Sequence, residues 1–245
     1  MPSDSHFERA DGPSLTAPGP PASNKLKQAS IFDSRGASSS ADGPAKQSAT
    51  LRGLPVPPGW NVVGGSLLVR AYMQPTASSK VAAFDYDGCL ADTDLAGFNP
   101  DGWKMMFRHV PAVLAALVDE GHCLLVVTNE SMDRFKKSDV IAKAIAKKCG
   151  RLDGFARAVG LPMLVLCATA KDGFRKPEVG CWQHYVATCS AGCAVDMGAS
   201  FFVGDAAGRP KDHSDSDQKF AANVGLRFFD EREFFLEQRP PPPPV

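Results

Sequence analysis

Val81-Ala82-Ala83-Phe84-Asp85-Tyr86-Asp87-Gly88 begins as an uninterrupted apolar run and ends in two carboxylates and a glycine. A short apolar run of this kind reads as a strand buried on both faces. Asp85 and Asp87 stand two residues apart at its exit, so both can face one site. Left alone they would repel and one would have its pKa raised. A cation between them removes that penalty, and oxygen-only ligation suits magnesium. Gly88 lets the backbone turn sharply and approach a ligand.

Working outward, Leu124–Val127, Met163–Ala168, Phe201–Val203 and Arg227–Phe229 also read as buried strands. Between them Ala112–Asp119, Ser138–Cys149, Val179–Ala191 and Asp217–Asn223 read as helices, with Gly121 and Gly150 at helix C-cap positions. Strand alternating with helix predicts an α/β fold of three layers, a Rossmann-type parallel sheet with helices on both faces. Ligands then bind at the carboxyl ends of the strands.

Three further features fall at such ends. Gly204-Asp205 follows Phe201–Val203, and Asp217 follows within Ser214-Asp215-Ser216-Asp217. Thr128-Asn129 ends the strand Leu124–Val127 and offers a hydroxyl and an amide to phosphate oxygens. Arg175-Lys176-Pro177 follows Met163–Ala168, and lysine is a compact cation suited to phosphate. Singly, each has a bland reading: a polar turn, a helix cap, a solvated lysine. Their order, each at a different strand's carboxyl end, points to one site.

The 245 residues, 44% of them hydrophobic, suffice for one ordinary domain with some chain left over. Zero net charge gives no whole-molecule pull on nucleic acid and leaves room only for a local basic patch. Seven scattered cysteines without a CxxC pair read as reduced thiols of an intracellular protein. No apolar run approaches a membrane span. Residues 1–55, rich in Ser, Pro, Gly and Ala, read as a disordered extension, residues 56–238 as the domain, and residues 239–245 as a proline-rich tail. Asp4, Glu8 and Asp11, with no apolar core, argue against a secretory signal and weigh against an organelle transit peptide. Lys27–Phe32 faintly resembles a docking peptide, against the blander reading of a chance apolar pair.

The motifs DxD, Thr, Lys and Gly-Asp resemble those of the haloacid dehalogenase superfamily of phosphotransferases. More narrowly, Phe84–Leu90, Thr128-Asn129, Phe174–Pro177 and Phe202-Val203-Gly204-Asp205-Ala206-Ala207-Gly208-Arg209-Pro210 resemble the phosphatase domain of the polynucleotide kinase 3′-phosphatase family. Ser214-x-x-Asp217, Phe220, Asn223, Gly225 and Glu233–Leu236 continue the likeness, which covers about residues 58 to 236. It implies a haloacid dehalogenase-like fold and a DNA 3′-phosphatase of strand-break and base excision repair. Asp85 would be the nucleophile that forms an aspartyl phosphate, and Asp87 the acid and base. Thr128, Asn129 and Lys176 would bind phosphate. Mg2+ would be held by Asp85, the Asp87 carbonyl and Asp205, with Asp217 in support. A neutral Asp87 would need a raised pKa. The partner is then DNA with 3′-phosphate ends, acted on in the nucleus, with the mitochondrion as the second compartment left open, by a monomer that meets repair proteins through its N-terminal extension. Cys89 stands where the family usually has threonine, Glu130 where it commonly has glutamine, and Ser131–Gly160 does not follow its glycine-rich pattern. No GxxxxGK[ST] loop occurs, which suggests a phosphatase-only relative.

About 40 residues separate Asp87 from Thr128 and about 48 separate Thr128 from Lys176, and secondary structure accounts for most of each gap. That predicts no large cap domain, and an open site suits a polymer end. Arg134, Lys136, Lys137, Lys143, Lys147, Lys148 and Arg151 read either as a solvated helix face or as a basic rim along a DNA backbone. Arg175 and Arg209 are candidates for gripping flanking DNA phosphates, and Trp103 and Phe98 for stacking or, more simply, for core packing. The rivals are a capless phosphatase of small phosphorylated metabolites and a non-catalytic module that recruits repair partners.

Overall fold

The computed structural model describes residues 49–94 and 97–239. The Lys27–Phe32 candidate, the tail from Pro240 onward and most of the N-terminal extension lie outside the described residues. The domain reaches further back than the boundary expected at residue 56. Strands β1 (Thr50–Leu51) and β2 (Leu54–Pro55) pair as a small hairpin, and Leu51 is fully buried in the core.

Strands β3 (Asn61–Val63) and β4 (Leu67–Tyr72) come next, followed by β5 (Lys80–Phe84), the strand of the deciding stretch. A short hairpin, β6 (Ala91–Thr93) and β7 (Trp103–Met105), leads to α1 (Val110–Asp119) and β8 (His122–Asn129). Then follow α2 (Ser138–Val159), β9 (Met163–Ala168) and α3 (Gly180–His184), which runs on as a wider helical turn over Tyr185–Cys189. β10 (Phe201–Gly204), α4 (Ser216–Val224), β11 (Arg227–Asp230) and a last wide turn at Glu233–Gln238 complete the order.

Seven strands form one sheet in the order β11-β10-β5-β8-β9-β4-β3. The five from β11 to β9 are parallel, as expected. β4 and β3 are antiparallel additions that the expected all-parallel sheet lacked. Their signal was a Gly64-Gly65 turn between two short apolar runs, and both glycines have positive φ, as a tight hairpin turn requires.

Alternation along β5 divides the core. Ala82 and Phe84 face a cluster with α1, α2 and Phe234-Phe235, while Val81 and Ala83 face one with α3 and α4. Helices therefore cover both faces of the sheet. The chain leaves β5 for β8 and β9 on one side and returns to β10 and β11 on the other. Such a reversal opens a crevice at the carboxyl ends of β5 and β10.

Helix α2 does not stop at Gly150. It runs to Val159 and ends at Gly160, whose φ is +66°. Ile141, Ile145, Leu152 and Phe155 continue one buried face through the glycine, and that burial outweighs a cost of ~1 kcal/mol for glycine in a helix. Gly150 has another use. A Cβ there would lie 2.5 Å from Pro100 Cβ, and one at Gly154 would lie 2.9 Å from Trp103 Nε1. The two glycines, one turn apart, seat the β6–β7 hairpin. Among the described residues this hairpin is the only insertion between β5 and α1, and α2 fills the β8–β9 connection, so no large cap domain is present.

Candidate active site

Asp85 lies one residue past β5, and its N–H donates to Val203 O of β10 at 2.8 Å, which pins it at the crevice. Lys176 approaches from the loop after β9. Its ammonium donates to Asp85 Oδ1 at 2.6 Å, to Val127 O at 2.6 Å and to Asp217 Oδ1 at 2.8 Å. Asp205 follows β10, and Asp217 sits in the first turn of α4, where its Oδ2 accepts from Ala206 N at 3.1 Å.

Two glycines bring these acids close. A Cβ at Gly88 would come 2.5 Å from Asp205 Oδ2, and one at Gly204 would come 2.3 Å from Asp217 Oδ2. Only a residue without a side chain leaves room for those carboxylates. Asp85, Asp205 and Asp217 each present an oxygen within 4.8 Å of the others.

The electrostatics of this cluster favour a cation. Burial pushes the Asp85 carboxyl up to about 7; Lys176 pulls against that, and Asp217 and Asp87 add to it. Burial, then Asp85 and Asp217, push Asp205 up to about 8. Burial alone would lower the Lys176 ammonium, but Asp217 and Asp85 hold it above its ordinary value. One ammonium thus faces three carboxylates, and the all-oxygen donor set in its glycine-made cradle fits a hard divalent metal. The side-chain set is Asp85, Asp205 and Asp217. The Asp87 side chain is turned elsewhere.

Asp87 accepts from Thr93 Oγ1 at 2.8 Å through Oδ1, and through Oδ2 from Lys148 Nζ and from Thr128 Oγ1 at 3.3 Å. Burial pushes its pKa up, but Lys148 and the hydrogen bonds from Lys148, Thr93 and Thr128 outweigh burial and hold it below the usual carboxylate range. The expected raised pKa at Asp87 is therefore corrected, because a buried lysine lies against it.

Thr128 and Asn129 are also placed differently from expectation. Thr128 is fully buried, and its hydroxyl accepts from Lys148 Nζ at 3.0 Å while bonding to Asp87. Asn129 spends its amide on the Lys176 backbone: Nδ2 donates to Lys176 O at 3.1 Å and Oδ1 accepts from Lys176 N at 3.0 Å. In this structure both hold other site residues in place. Arg209 is likewise committed. Its guanidinium meets Asp212, Asp230 and Glu231 and donates to Asp205 O, which leaves it little to offer a DNA phosphate. Arg175 lines the cleft, and its Nη1, itself buried, has no hydrogen-bond partner among the described residues.

The cleft is open and has a volume of about 670 Å³. Its lining brings the acids together with Arg134, Lys147, Arg151, Arg175 and Lys176. The basic run from 134 to 151 is split. Arg134, Lys136, Lys137 and Lys143 are exposed, while Lys147, Lys148 and Arg151 are buried, so it is neither a wholly solvated face nor a continuous rim. Trp103 packs edge-on against Phe155 in the core, and Phe98 stays 39% exposed beside Phe135. Thr93 is a site residue that sequence reasoning missed, and Lys148, named there only as one of the basic run, is another whose place in the site was not seen. Ile141, Ile145, Leu152 and Phe155 mark the inward face of α2, and Lys148 falls on it. A charge at such a position was the available signal.

Comparison with known proteins agrees with this geometry. The chain is 42% identical over 170 residues to the polynucleotide 3′-phosphatase ZDP of Arabidopsis thaliana, an alignment covering 65% of this chain and 24% of that one. It is 30% identical over 187 residues to a bifunctional polynucleotide phosphatase/kinase of Schizosaccharomyces pombe, covering 75% of this chain and 44% of that one. It therefore spans less than half the length of these two relatives. A solved structure described as a HAD-like phosphatase of Mesorhizobium loti superposes with a TM-score of 0.50 at 18% identity, over 66% of this chain and 77% of that one, and shares the fold. The family model for polynucleotide kinase 3 phosphatase matches residues 80–235, well over half of the sequence, and the chain belongs to that family.

Proposed function

We propose that the protein removes phosphate from the 3′ ends of DNA strand breaks, in the nucleus, as a Mg2+-dependent step of strand-break repair. One observation carries the chemistry: Asp85, buried at a strand's carboxyl end, is held by Lys176 in an open cleft with Asp205 and Asp217 close by. Family membership and a relative named as a polynucleotide 3′-phosphatase support the choice of substrate.

On this reading Asp85 attacks phosphorus, and the bond to the sugar oxygen breaks, leaving an aspartyl phosphate. Lys176, already bonded to Asp85 and Asp217, orients the attacking carboxylate and stabilises charge on the phosphoryl oxygens. Lys148 keeps Asp87 charged in the free enzyme, so on this reading Asp87 takes up a proton as the phosphate's negative charge enters the cleft, passes it to the departing oxygen, and accepts one from the water that opens the intermediate. Asp85, Asp205 and Asp217 would hold Mg2+, which when bound would supply the positive charge that lets one anion approach another. Asn129 fixes the Lys176 backbone, so its contribution is to position the cation. The absence of a cap among the described residues leaves room for a chain end, and Arg175, which lines the cleft, is the cation nearest an adjoining phosphate on this reading.

The test is phosphate release from one oligonucleotide carrying phosphate at either end, beside a panel of sugar phosphates, with Mg2+ and with excess chelator. A strong preference for the 3′ end and loss of activity in chelator are the expected results. Equal rates at both ends, or a preferred sugar phosphate, would leave a general phosphatase.

A further inference from the structure

Lys148 is a second buried cation in the site, and the chemistry above does not use it. Its side chain is 1% exposed. Nζ bonds to Asp87 Oδ2 and donates to Thr128 Oγ1 at 3.0 Å, with Glu130 Oε2 at 3.8 Å. The ammonium also lies 5.1 Å from the centre of the Tyr86 ring. From the other side, Thr93 of the hairpin donates to Asp87 Oδ1 at 2.8 Å. Both oxygens of Asp87 are thus engaged, one from helix α2 and one from strand β6.

Burying a lysine is costly, and a buried ion pair gives little net stability over an apolar pair of similar size. Stability of the fold therefore does not explain a lysine on the inward face of α2. Direction does. The carboxylate of Asp87 could rotate toward the Asp85–Asp205 cluster, and the Lys148–Thr93 clamp sets its orientation instead. We propose that Lys148 is a positioning residue that, together with Thr93, fixes the Asp87 carboxylate and the Thr128 hydroxyl as one unit beside the leaving oxygen. This rests on the phosphatase reading and adds a residue to it.

A departing aryl oxide needs no proton, whereas a departing sugar oxygen does, so positioning of Asp87 shows as a difference between substrates. The test measures release of the leaving group in the first turnover, before the hydrolysis step that both substrates share, from a 3′-phosphorylated oligonucleotide and from p-nitrophenyl phosphate by Asp87→Asn, Lys148→Met, Lys148→Gln and Thr93→Val. Asp87→Asn should lose ~10²-fold or more on the oligonucleotide and far less on the aryl phosphate. Lys148→Met should show the same selectivity, with a loss of ~30-fold or more in that first step on the oligonucleotide. Lys148→Gln, which keeps a donor, should recover part of that loss. Thr93→Val, a change of similar shape at a half-buried position, should reproduce the pattern in weaker form if Lys148→Met does not fold. Equal losses on both substrates by Lys148→Met and Thr93→Val, or none, while Asp87→Asn discriminates, would overturn the positioning role alone. An Asp87→Asn variant that does not discriminate would overturn the acid–base reading of Asp87 and this inference with it.

Discussion

At the scale of single residues, the site is a set of charges that hold one another in place. Asn129 illustrates the consequence. Its amide clasps the Lys176 backbone, so Asn129→Ala should lower kcat by ~10–100-fold with little change in KM, since a displacement of about 1 Å in a catalytic group costs that much. A direct phosphate contact would raise KM instead, and steady-state kinetics separates the two. Asp205 gives a second expectation. Without metal, burial and the charges of Asp85 and Asp217 raise its pKa to about 8, which costs stability wherever the unfolded carboxyl is ionised, so at neutral pH Asp205→Asn should melt at a higher temperature than wild type in chelator. The same change should remove most of the gain in Tm that Mg2+ gives the wild type, because binding to the folded state is what stabilises it. Thermal melts with and without Mg2+ check both signs. Asp85, Asp87 and Asp205 were legible in the sequence because each stands next to a strand end or a tight glycine, and Lys176 and Asp217 because they follow in the order of the motifs. The clamp on Asp87 was not, since Lys148 lies some sixty positions away and reads, in isolation, as one of several helix lysines.

At the scale of elements, α2 does more than connect β8 to β9. Its two inward glycines seat the hairpin, and the hairpin carries Thr93 to Asp87. Gly→Ala in a helix interior ordinarily stabilises by up to ~1 kcal/mol. At Gly150 the new methyl would meet Pro100, and overpacking of this kind costs ~1–3 kcal/mol. Gly150→Ala should therefore lower the urea midpoint and reduce turnover by displacing the hairpin. A raised midpoint would show that Pro100 yields freely and that the seat is not rigid. The sequence gives a glycine after a twelve-residue helical pattern, which local rules read as a cap, and only the tertiary partner reveals its use. The same limit applied to β3 and β4, whose three and six residues carry too little pattern to fix the pairing of β4 with β9 and of β3 with β4.

At the scale of the whole molecule, the open cleft and the lack of a cap among the described residues are what the proposed polymer-end substrate requires. The parallel strands and the helices between them were legible because buried strands and amphipathic helices have different periods, and the order of motifs along the chain located the cleft. Which basic residues face that cleft was not legible, because a helix with lysines on several faces gives no sign of where its axis will point. With Arg209 tied into an acidic cluster, only a few cations remain for flanking phosphates. Apparent affinity for an oligonucleotide should thus fall with added salt on a shallow slope, of about one to two in the logarithmic plot, and a titration between low and moderate salt measures it. All of this rests on Asp85 as the group that takes the phosphate. The most direct test compares wild type with Asp85→Asn for phosphate release from a 3′-phosphorylated oligonucleotide in Mg2+, with far-UV circular dichroism to confirm the fold. The account predicts a loss of ~10³-fold or more, and a folded Asp85→Asn enzyme that keeps more than about a tenth of the wild-type rate would contradict it.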